Sequence, residues 1–314
     1  MKRTVASLSL SLAFGAASAL AAYPERPVKL IVPWAAGGDT DVVYRAFQPH
    51  LQKHLGGTIV IANVGGASGT KGAKEAKDAP ADGYTIFAVH DSIHSTYFTG
   101  VADVNWTDFE PICLVASTPS IITASPKAPW ADFKAMVEDA RKRPGQVSVG
   151  ATLGSTSHFF PALVEKAAGV KFKYVSYEGT APRMNALMGS HTDLAESNLT
   201  QKGKVDAGQM KFLAIATDKR HPEVPNLPTL KELGIDVTYA VNRGLLVRKG
   251  TPPEAVKKLQ SACGAAAKEP AFAEAMKAQG TLVNYLAPAE YAKFLQENDT
   301  VNRDLAKDLG MLKR

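Results

Sequence analysis

Two turns rich in small residues have the composition of an anion-binding site. They are Trp34-Ala35-Ala36-Gly37-Gly38-Asp39-Thr40 and Gly154-Ser155-Thr156-Ser157-His158, and each follows an apolar run and precedes a helical pattern. A helix N-terminus presents unpaired backbone N–H groups and the positive end of the helix dipole, and glycine lets an anion approach that backbone closely. Taken singly, each turn is better explained as a tight turn with an N-cap. One such turn on each of two lobes predicts a two-ended anion clamp.

Ser155, Ser157 and His158 also suggest a hydrolase as an alternative function. A base one or three residues from a serine at a helix start does not form the spatially assembled Ser-His-Asp arrangement. No Gly-x-Ser-x-Gly elbow surrounds either serine. We therefore interpret His158 as an anion contact or a packed first-turn histidine, and we expect a binding protein without catalytic residues.

Two histidine pairs have the i, i+4 spacing that can place two imidazoles on one helix face: His50 with His54, and His90 with His94. Neither pair has a third ligand nearby in the sequence, and two ligands do not make a zinc site. We therefore expect neither a bound metal nor a cofactor. A pure interaction module is a third alternative, but it would leave the two matched turns without a purpose.

The elements that must position these turns follow the pattern of parallel βαβ units, because short β-branched runs alternate with helical stretches. The first set has predicted strands at 28–32, 58–61 and 85–89, with a helix after residue 40 in which Pro49 predicts a kink. A second set begins near residue 125. Its predicted elements are a helix at 132–143 and strands at 147–151, 172–175 and 212–216.

The order of the elements predicts two lobes. A run at 244–247 follows the second set, and from Pro252 the chain is mainly helical in pattern, as expected of a tail that packs back on the first lobe. Residues 22–124 together with 240–314 are therefore assigned to a discontinuous first lobe, and residues 125–239 to a second lobe.

The N-terminus has the pattern of a secretory signal peptide. Lys2 and Arg3 precede an apolar run, and Ala19-Leu20-Ala21 is a small-x-small cleavage site, so residues 1–21 are predicted to be removed after Ala21. The apolar run is interrupted by serines and is shorter than the roughly 20 residues that a spanning helix needs. The sequence thus predicts a periplasmic protein without direct membrane insertion.

Composition places the chain among ordinary globular proteins, with 45% hydrophobic and 21% charged residues. The formal net charge of +6 would fall by two with removal of Lys2 and Arg3. Basic and acidic residues are interleaved, and no basic stripe that could follow a phosphate backbone is visible, so nucleic acid is not an expected partner. Cys113 and Cys263 could be bridged in an oxidising compartment. Sequence cannot assign that bridge, and two buried thiols are the favoured interpretation.

A series of short blocks resembles the Bug-type substrate-binding receptors of tripartite tricarboxylate transporters. The blocks run in order along nearly the whole chain. They include Tyr23-Pro24-Glu25-Arg26-Pro27, Ala36-Gly37-Gly38 with Asp41 and Arg45, Gly66-Ala67-Ser68-Gly69, Ala81-Asp82-Gly83-Tyr84, the second turn, Val175-Ser176-Tyr177-Glu178-Gly179 and Gly250-Thr251-Pro252.

The resemblance implies an α/β, type II periplasmic-binding-protein fold with two lobes, a hinge and a ligand cleft. It also implies a monomeric receptor that captures a small carboxylate, a di- or tricarboxylate, and delivers it to membrane subunits of a tripartite tricarboxylate-type transporter. An exported carboxylate sensor acting on a signalling partner is the alternative. The candidate ligand-binding residues are Trp34, Ala35, Ala36, Gly37, Gly38, Asp41, Ser68, His90, Asp91, Ser92, Gly154, Ser155, Thr156, Ser157, His158, Tyr177, Ser197 and Asn198.

Two departures from the family pattern affect the site. Asn63-Val64-Gly65-Gly66 lacks the Arg-Pro that commonly precedes the Gly-Ala block, and His90-Asp91-Ser92 stands where the family often has small residues. In this fold His90 and Asp91 would face the cleft, where they could recognise a hydroxyl, an amine or a water. Asp91 fits a helix N-cap equally well, and the identity of the carboxylate stays open.

Overall fold

The computed structural model describes residues 23–314, so the predicted signal peptide lies outside the described residues. The strands are β1 Val28–Val32, β2 Ile59–Asn63, β3 Thr85–His90, β4 Phe109–Pro119, β5 Ile121–Ala124, β6 Ser148–Ala151, β7 Lys173–Ser176, β8 Leu194–Ser197, β9 Lys211–Ile215, β10 Ala240–Arg248 and β11 Leu282–Leu286. The helices are α1 Asp39–Leu55, α2 Thr70–Asp78, α3 Ser92–Phe98, α4 Phe133–Lys142, α5 Thr156–Ala168, α6 Thr180–Met188, α7 Lys202–Asp206, α8 Pro253–Ala267, α9 Pro270–Ala278 and α10 Pro288–Asp308.

The strands form two sheets, each the centre of one lobe. The first sheet has the order β11-β4-β10-β3-β1-β2, and the second has the order β7-β6-β8-β5-β9. In the first sheet β1 lies parallel to β2 and β3, and in the second β6 lies parallel to β7 and β8. Parallel strands end at the same edge of a sheet, so the turns that follow them meet there. This is how each lobe presents its helix N-termini on one side.

The chain crosses between the sheets at two adjacent points. β4 ends at Pro119 in the first sheet, and β5 begins at Ile121 in the second. The return crossing precedes β10, and the backbone N–H of Ser120 donates to the carbonyl of Tyr239, which ties the two crossings together. Residues 121–124 therefore pair in the second sheet, although the sequence analysis placed them in the first lobe. The sequence pattern did not indicate this strand, because it lies in a Pro-containing stretch.

The core of the first lobe corrects the interpretation of the cysteines. Cys113 of β4 and Cys263 of α8 form a disulfide, and both are completely buried. They are 150 residues apart in the sequence. Only the packing of α8 against β4 brings them together, so no local pattern could have favoured the bridge over two thiols.

The C-terminal part is less uniformly helical than predicted. β11 interrupts it and pairs antiparallel with β4 at the edge of the first sheet. α1 runs through Pro49, which is exposed, without a break. None of the helices within residues 23–314 combines the length and the apolarity needed to cross a bilayer.

Candidate functional site

A small cavity, partly open to solvent, lies between the two lobes at the edge where the predicted turns meet. The volume open to the centre of a water molecule is about 30 Å³, which is room for about two waters. The lining residues from the first lobe are Trp34, Gly38, Asp39, Thr40, His90, Val241 and Arg243. Those from the second lobe are Thr152, Ser155, Thr156, Ser157, Gly179, Thr180, Arg183 and Glu196.

Three helices begin at this cavity. α1 starts after Gly38, α5 after Ser155, and α6 after Gly179, and none of these N-cap positions makes a side-chain capping hydrogen bond. The first N–H groups of each helix have no partner within the helix and carry partial positive charge. The structure thus brings Gly38 of the first predicted turn and Ser155 of the second to one cavity, as the anion clamp requires.

The rest of the first turn supports the loop without lining the cavity. Ala35, Ala36 and Gly37 are exposed. Asp41 accepts hydrogen bonds from Gly37 N–H (2.8 Å), Arg45 Nε (2.8 Å) and Asn63 Nδ2 (2.8 Å). Burial by itself would raise the pKa of Asp41, but these donors outweigh it and hold the pKa below its ordinary value. Asp41 therefore shapes the turn instead of facing a ligand.

His90 lies in the cavity as a neutral hydrogen-bond donor. Burial, reinforced by Arg243 and Arg183, holds the pKa of His90 well below its ordinary value. Its Nδ1 accepts from the backbone N–H of Ser92 at 3.1 Å. A neutral imidazole whose Nδ1 accepts carries its proton on Nε2, and Nε2 has no partner within residues 23–314. Its ring stacks on Trp34, with centroids 5.0 Å apart and planes 12° apart.

Arg243 is the cation of the first lobe at this cavity, and the sequence analysis missed it. It lies opposite His90 in the antiparallel pairing of β10 with β3, and it is 2% exposed. Its Nε donates to Thr40 Oγ1 (3.2 Å) and its Nη1 to Thr118 Oγ1 (2.7 Å). No carboxylate of residues 23–314 forms an ion pair with it, and its Nη2 makes no hydrogen bond to them. An arginine directly before the apolar run 244–247 was the available signal.

The second buried arginine is already neutralised. Arg183 Nη2 donates to Glu196 Oε2 at 2.7 Å, with side-chain exposures of 3% and 4%. Burial raises the pKa of Glu196, although Arg183 opposes the shift. Ser120 Oγ donates to the other carboxylate oxygen at 3.1 Å. Of the two lining arginines, Arg243 is therefore the one whose charge is available to an anion.

Asp39 of the first lobe accepts hydrogen bonds from the second lobe across the cleft. The sequence did not predict it as a site residue. Its Oδ2 accepts from Asn198 Nδ2 (2.6 Å) and Thr180 Oγ1 (3.1 Å). Its Oδ1 accepts from Thr200 Oγ1 (2.9 Å) and Gln201 Nε2 (3.2 Å). All four donors are neutral groups of the second lobe. The predicted site residue Asn198 thus meets the first lobe through Asp39.

The hydroxyls of the second turn differ in their bonding. Ser155 Oγ donates to the carbonyl of Thr152 at 2.8 Å, and Ser157 Oγ accepts from Thr152 N–H at 3.0 Å. Thr156 lines the cavity, and its Oγ1 makes no hydrogen bond to residues 23–314. In this turn, Thr156 has the hydroxyl available to a ligand.

His158 and Gly154 do not line the cavity. His158 Nδ1 accepts from Gly154 N–H at 3.2 Å, and its ring packs edge-on against Tyr174 with centroids 4.5 Å apart. Burial lowers the pKa of His158. Of the two readings of His158, the packed first-turn histidine matches this geometry. Ser155 donates to a carbonyl and not to this histidine, so the pair lacks the hydrogen bond that nucleophilic catalysis needs.

Asp91 is neither a cleft group nor a side-chain N-cap. It stands before α3 without a capping hydrogen bond. Its Oδ2 accepts from Asn242 N–H (2.8 Å) and Asn242 Nδ2 (2.9 Å), and its Oδ1 accepts from Asn298 Nδ2 (2.9 Å). Burial raises its pKa to about 6. Asp91 therefore holds β10 and α10 together behind the cavity.

The remaining predicted residues lie around the cavity. Ser68 bridges the lobes, since its N–H donates to Glu178 Oε2 and its Oγ to the carbonyl of Leu153, both at 2.9 Å. Ser92 is buried at the start of α3, and Ser197 Oγ shares a hydrogen bond with Thr123 Oγ1. Tyr177 is half-buried at the end of β7.

The histidine pairs have other partners. His50 and His54 both contact the carboxylate of Glu269. His94 Nδ1 contacts Asp299 at 3.1 Å, while His90 faces the cleft. No group of three or more metal-ligating side chains occurs in the part of the chain that the structure describes.

The two lobes meet at a cavity that is lined by helix N-termini and by a buried cation. This is the arrangement of a solute-binding protein of the type II periplasmic class. A family model described as the tripartite tricarboxylate transporter family receptor matches residues 43–311. The chain belongs to this family, as its sequence blocks predicted. The family consists of ligand-binding receptors, not enzymes.

Solved structures confirm the predicted fold. The chain is 34% identical to the periplasmic binding protein BugD, with a TM-score of 0.88 over 93% of this chain and 100% of that one. It is 28% identical to MatC from Rhodopseudomonas palustris with bound malate, with a TM-score of 0.85 over 90% and 99% of the two chains. It is 29% identical to an R. palustris protein solved with adipate, with a TM-score of 0.87 over 92% and 99%.

Proposed function

We propose that this receptor captures a small carboxylate between its lobes and delivers it to the membrane subunits of a tripartite tricarboxylate-type transporter. Arg243 is the observation that carries the proposal. A buried guanidinium that no carboxylate contacts directly is only partly compensated, here by the more distant charges of Glu196 and Asp91, so binding of an anion beside it is favoured. The ligand carboxylate is that anion.

The groups around Arg243 suit the same ligand. His90 Nε2–H, Thr156 Oγ1 and the N-termini of α1 and α5 are donors, and a carboxylate accepts several donors at once. Malate and adipate, held by two similar solved proteins, are both carboxylates. The candidate site therefore consists of the side chains of Trp34, Thr40, His90, Thr156 and Arg243 and the backbone of Gly38, Ser155 and Ser157.

Delivery requires two shapes that a transporter can distinguish. The cavity is too small for such a carboxylate to enter without separation of the lobes. The crossings at Ser120 and Tyr239 are the expected hinge, about which the two sheets move as bodies. Export after cleavage at Ala21 would place this capture step in the periplasm.

Titration calorimetry of an Arg243→Gln variant against malate, adipate and related carboxylates tests the proposal. Glutamine can keep a hydrogen bond to Thr118 but lacks the charge, so we expect affinity to fall about a hundredfold. Arg248→Gln is the matched control, because Arg248 lies on the same strand and donates to the carbonyl of Ala79 on the surface. Equal affinity of the Arg243 and Arg248 variants would reject Arg243 as the anchor.

A further inference from the structure

We infer that the ligand of this receptor carries a single carboxylate, because Asp39 supplies the second one from the chain itself. The inference rests on the proposed function and concerns the class of carboxylate bound. It makes Asp39 a specificity-determining residue. The family resemblance by itself implies a di- or tricarboxylate instead.

The donors around Asp39 form the kind of set that would bind the far end of a ligand. They are the hydroxyls of Thr180 and Thr200 and the side-chain amides of Asn198 and Gln201. Thr180 lines the cavity itself, and the other three contact Asp39 beyond the cavity lining. All four belong to the second lobe, whereas Asp39 is in the first turn of α1. When the lobes close, the chain's own carboxylate therefore takes the hydrogen bonds that a second ligand carboxylate would need.

The charges lining the cavity lead to the same conclusion. Asp39 and Glu196 are acidic, Arg183 and Arg243 are basic, and His90 is neutral. Since Arg183 pairs with Glu196, and neutral donors surround Asp39, one carboxylate can be matched by Arg243. A second carboxylate would bind without a free cation and near the acidic side chains of Asp39 and Glu196. Like charges in such a site disfavour one another strongly.

Matched pairs of acids test this inference on the mature protein by calorimetry. Hexanoate is adipate with one carboxylate replaced by a methyl group, and 3-hydroxybutyrate is related to malate in the same way. Wild-type protein should bind the monocarboxylate of each pair more tightly. Asp39→Ser should release the four donors and shift the affinity ratio toward the dicarboxylate by about tenfold to a hundredfold.

Glu178→Ala is the matched control. Glu178 also joins the lobes through its carboxylate, which accepts from Ser68 N–H, but it does not line the cavity. If Asp39 only held the two lobes together, each variant would change the affinity for the monocarboxylate and for the dicarboxylate of a pair by the same factor. The inference requires that the ratio change in Asp39→Ser and stay constant in Glu178→Ala.

A second substitution checks that the gain comes from the released donors. Adding Thr200→Val to Asp39→Ser should reduce the new dicarboxylate affinity and leave the monocarboxylate affinity unchanged. Tighter binding of a dicarboxylate by wild-type protein, or an unchanged ratio in Asp39→Ser, would overturn the inference while the Arg243 anchor stands. Failure of every acid to bind either protein would instead reject the proposed function, and this inference with it.

Discussion

Replacing Thr156 with valine separates a ligand contact from the structure of the turn around it. Thr156 lines the cavity. Valine keeps the shape of its side chain and removes the hydroxyl, which has no hydrogen-bond partner in residues 23–314. A hydrogen bond to a charged acceptor contributes about 1.5–3 kcal/mol. We therefore expect the Kd for the best-binding acid of the panel to rise about tenfold to a hundredfold, with the melting temperature of the ligand-free protein almost unchanged.

Ser155→Ala is the control for this prediction, because Ser155 precedes Thr156 and its hydroxyl is already used by the carbonyl of Thr152. Its loss should lower the free energy of unfolding by about 1 kcal/mol and affect binding little. Calorimetry gives the two Kd values, and thermal unfolding gives the two stabilities. The reasoning is refuted if Ser155→Ala weakens binding as much as Thr156→Val, or if Thr156→Val binds like the wild type.

Two further predictions concern closure and pH. Saturation with a bound carboxylate should reduce the radius of gyration measured by X-ray scattering, because the ligand must enter an open form before the lobes close on it. An unchanged radius at saturation would contradict closure. Asp91 should make stability depend on pH. Its pKa is raised from 3.8 to about 6 in the folded state. Between pH 3.8 and about 6 the folded protein therefore binds more protons than the unfolded chain. The free energy of unfolding accordingly falls by about 3 kcal/mol as the pH rises through this range. Denaturant unfolding at pH 4 and pH 7 should show this loss in the wild type and a smaller one in Asp91→Asn, and equal losses would reject the assignment.

The sequence by itself determined the elements whose signals are local. β1, β3 and the helices after the two turns lie close to their predicted ranges, because β-branched runs and apolar helix faces record secondary structure directly. Small residues after predicted strands also located the turns, since parallel strands bring such turns to one edge. The family followed from short blocks in order, and with it came the fold and the receptor class.

The tertiary structure decided which polar side chains face the cleft, because that depends on partners distant in sequence. The sequence predicted Asp41 and Asp91 as site residues, yet the carboxylates of both accept hydrogen bonds from neighbouring groups of the chain. The sequence did not predict Asp39 or Arg243 as site residues, although Asp39 hydrogen-bonds to the second lobe and Arg243 lies opposite His90. Spacing along the chain does not encode which donors remain unpaired after two lobes close, since that count follows from packing and burial across the whole fold. The Cys113–Cys263 bridge was hidden for the same reason.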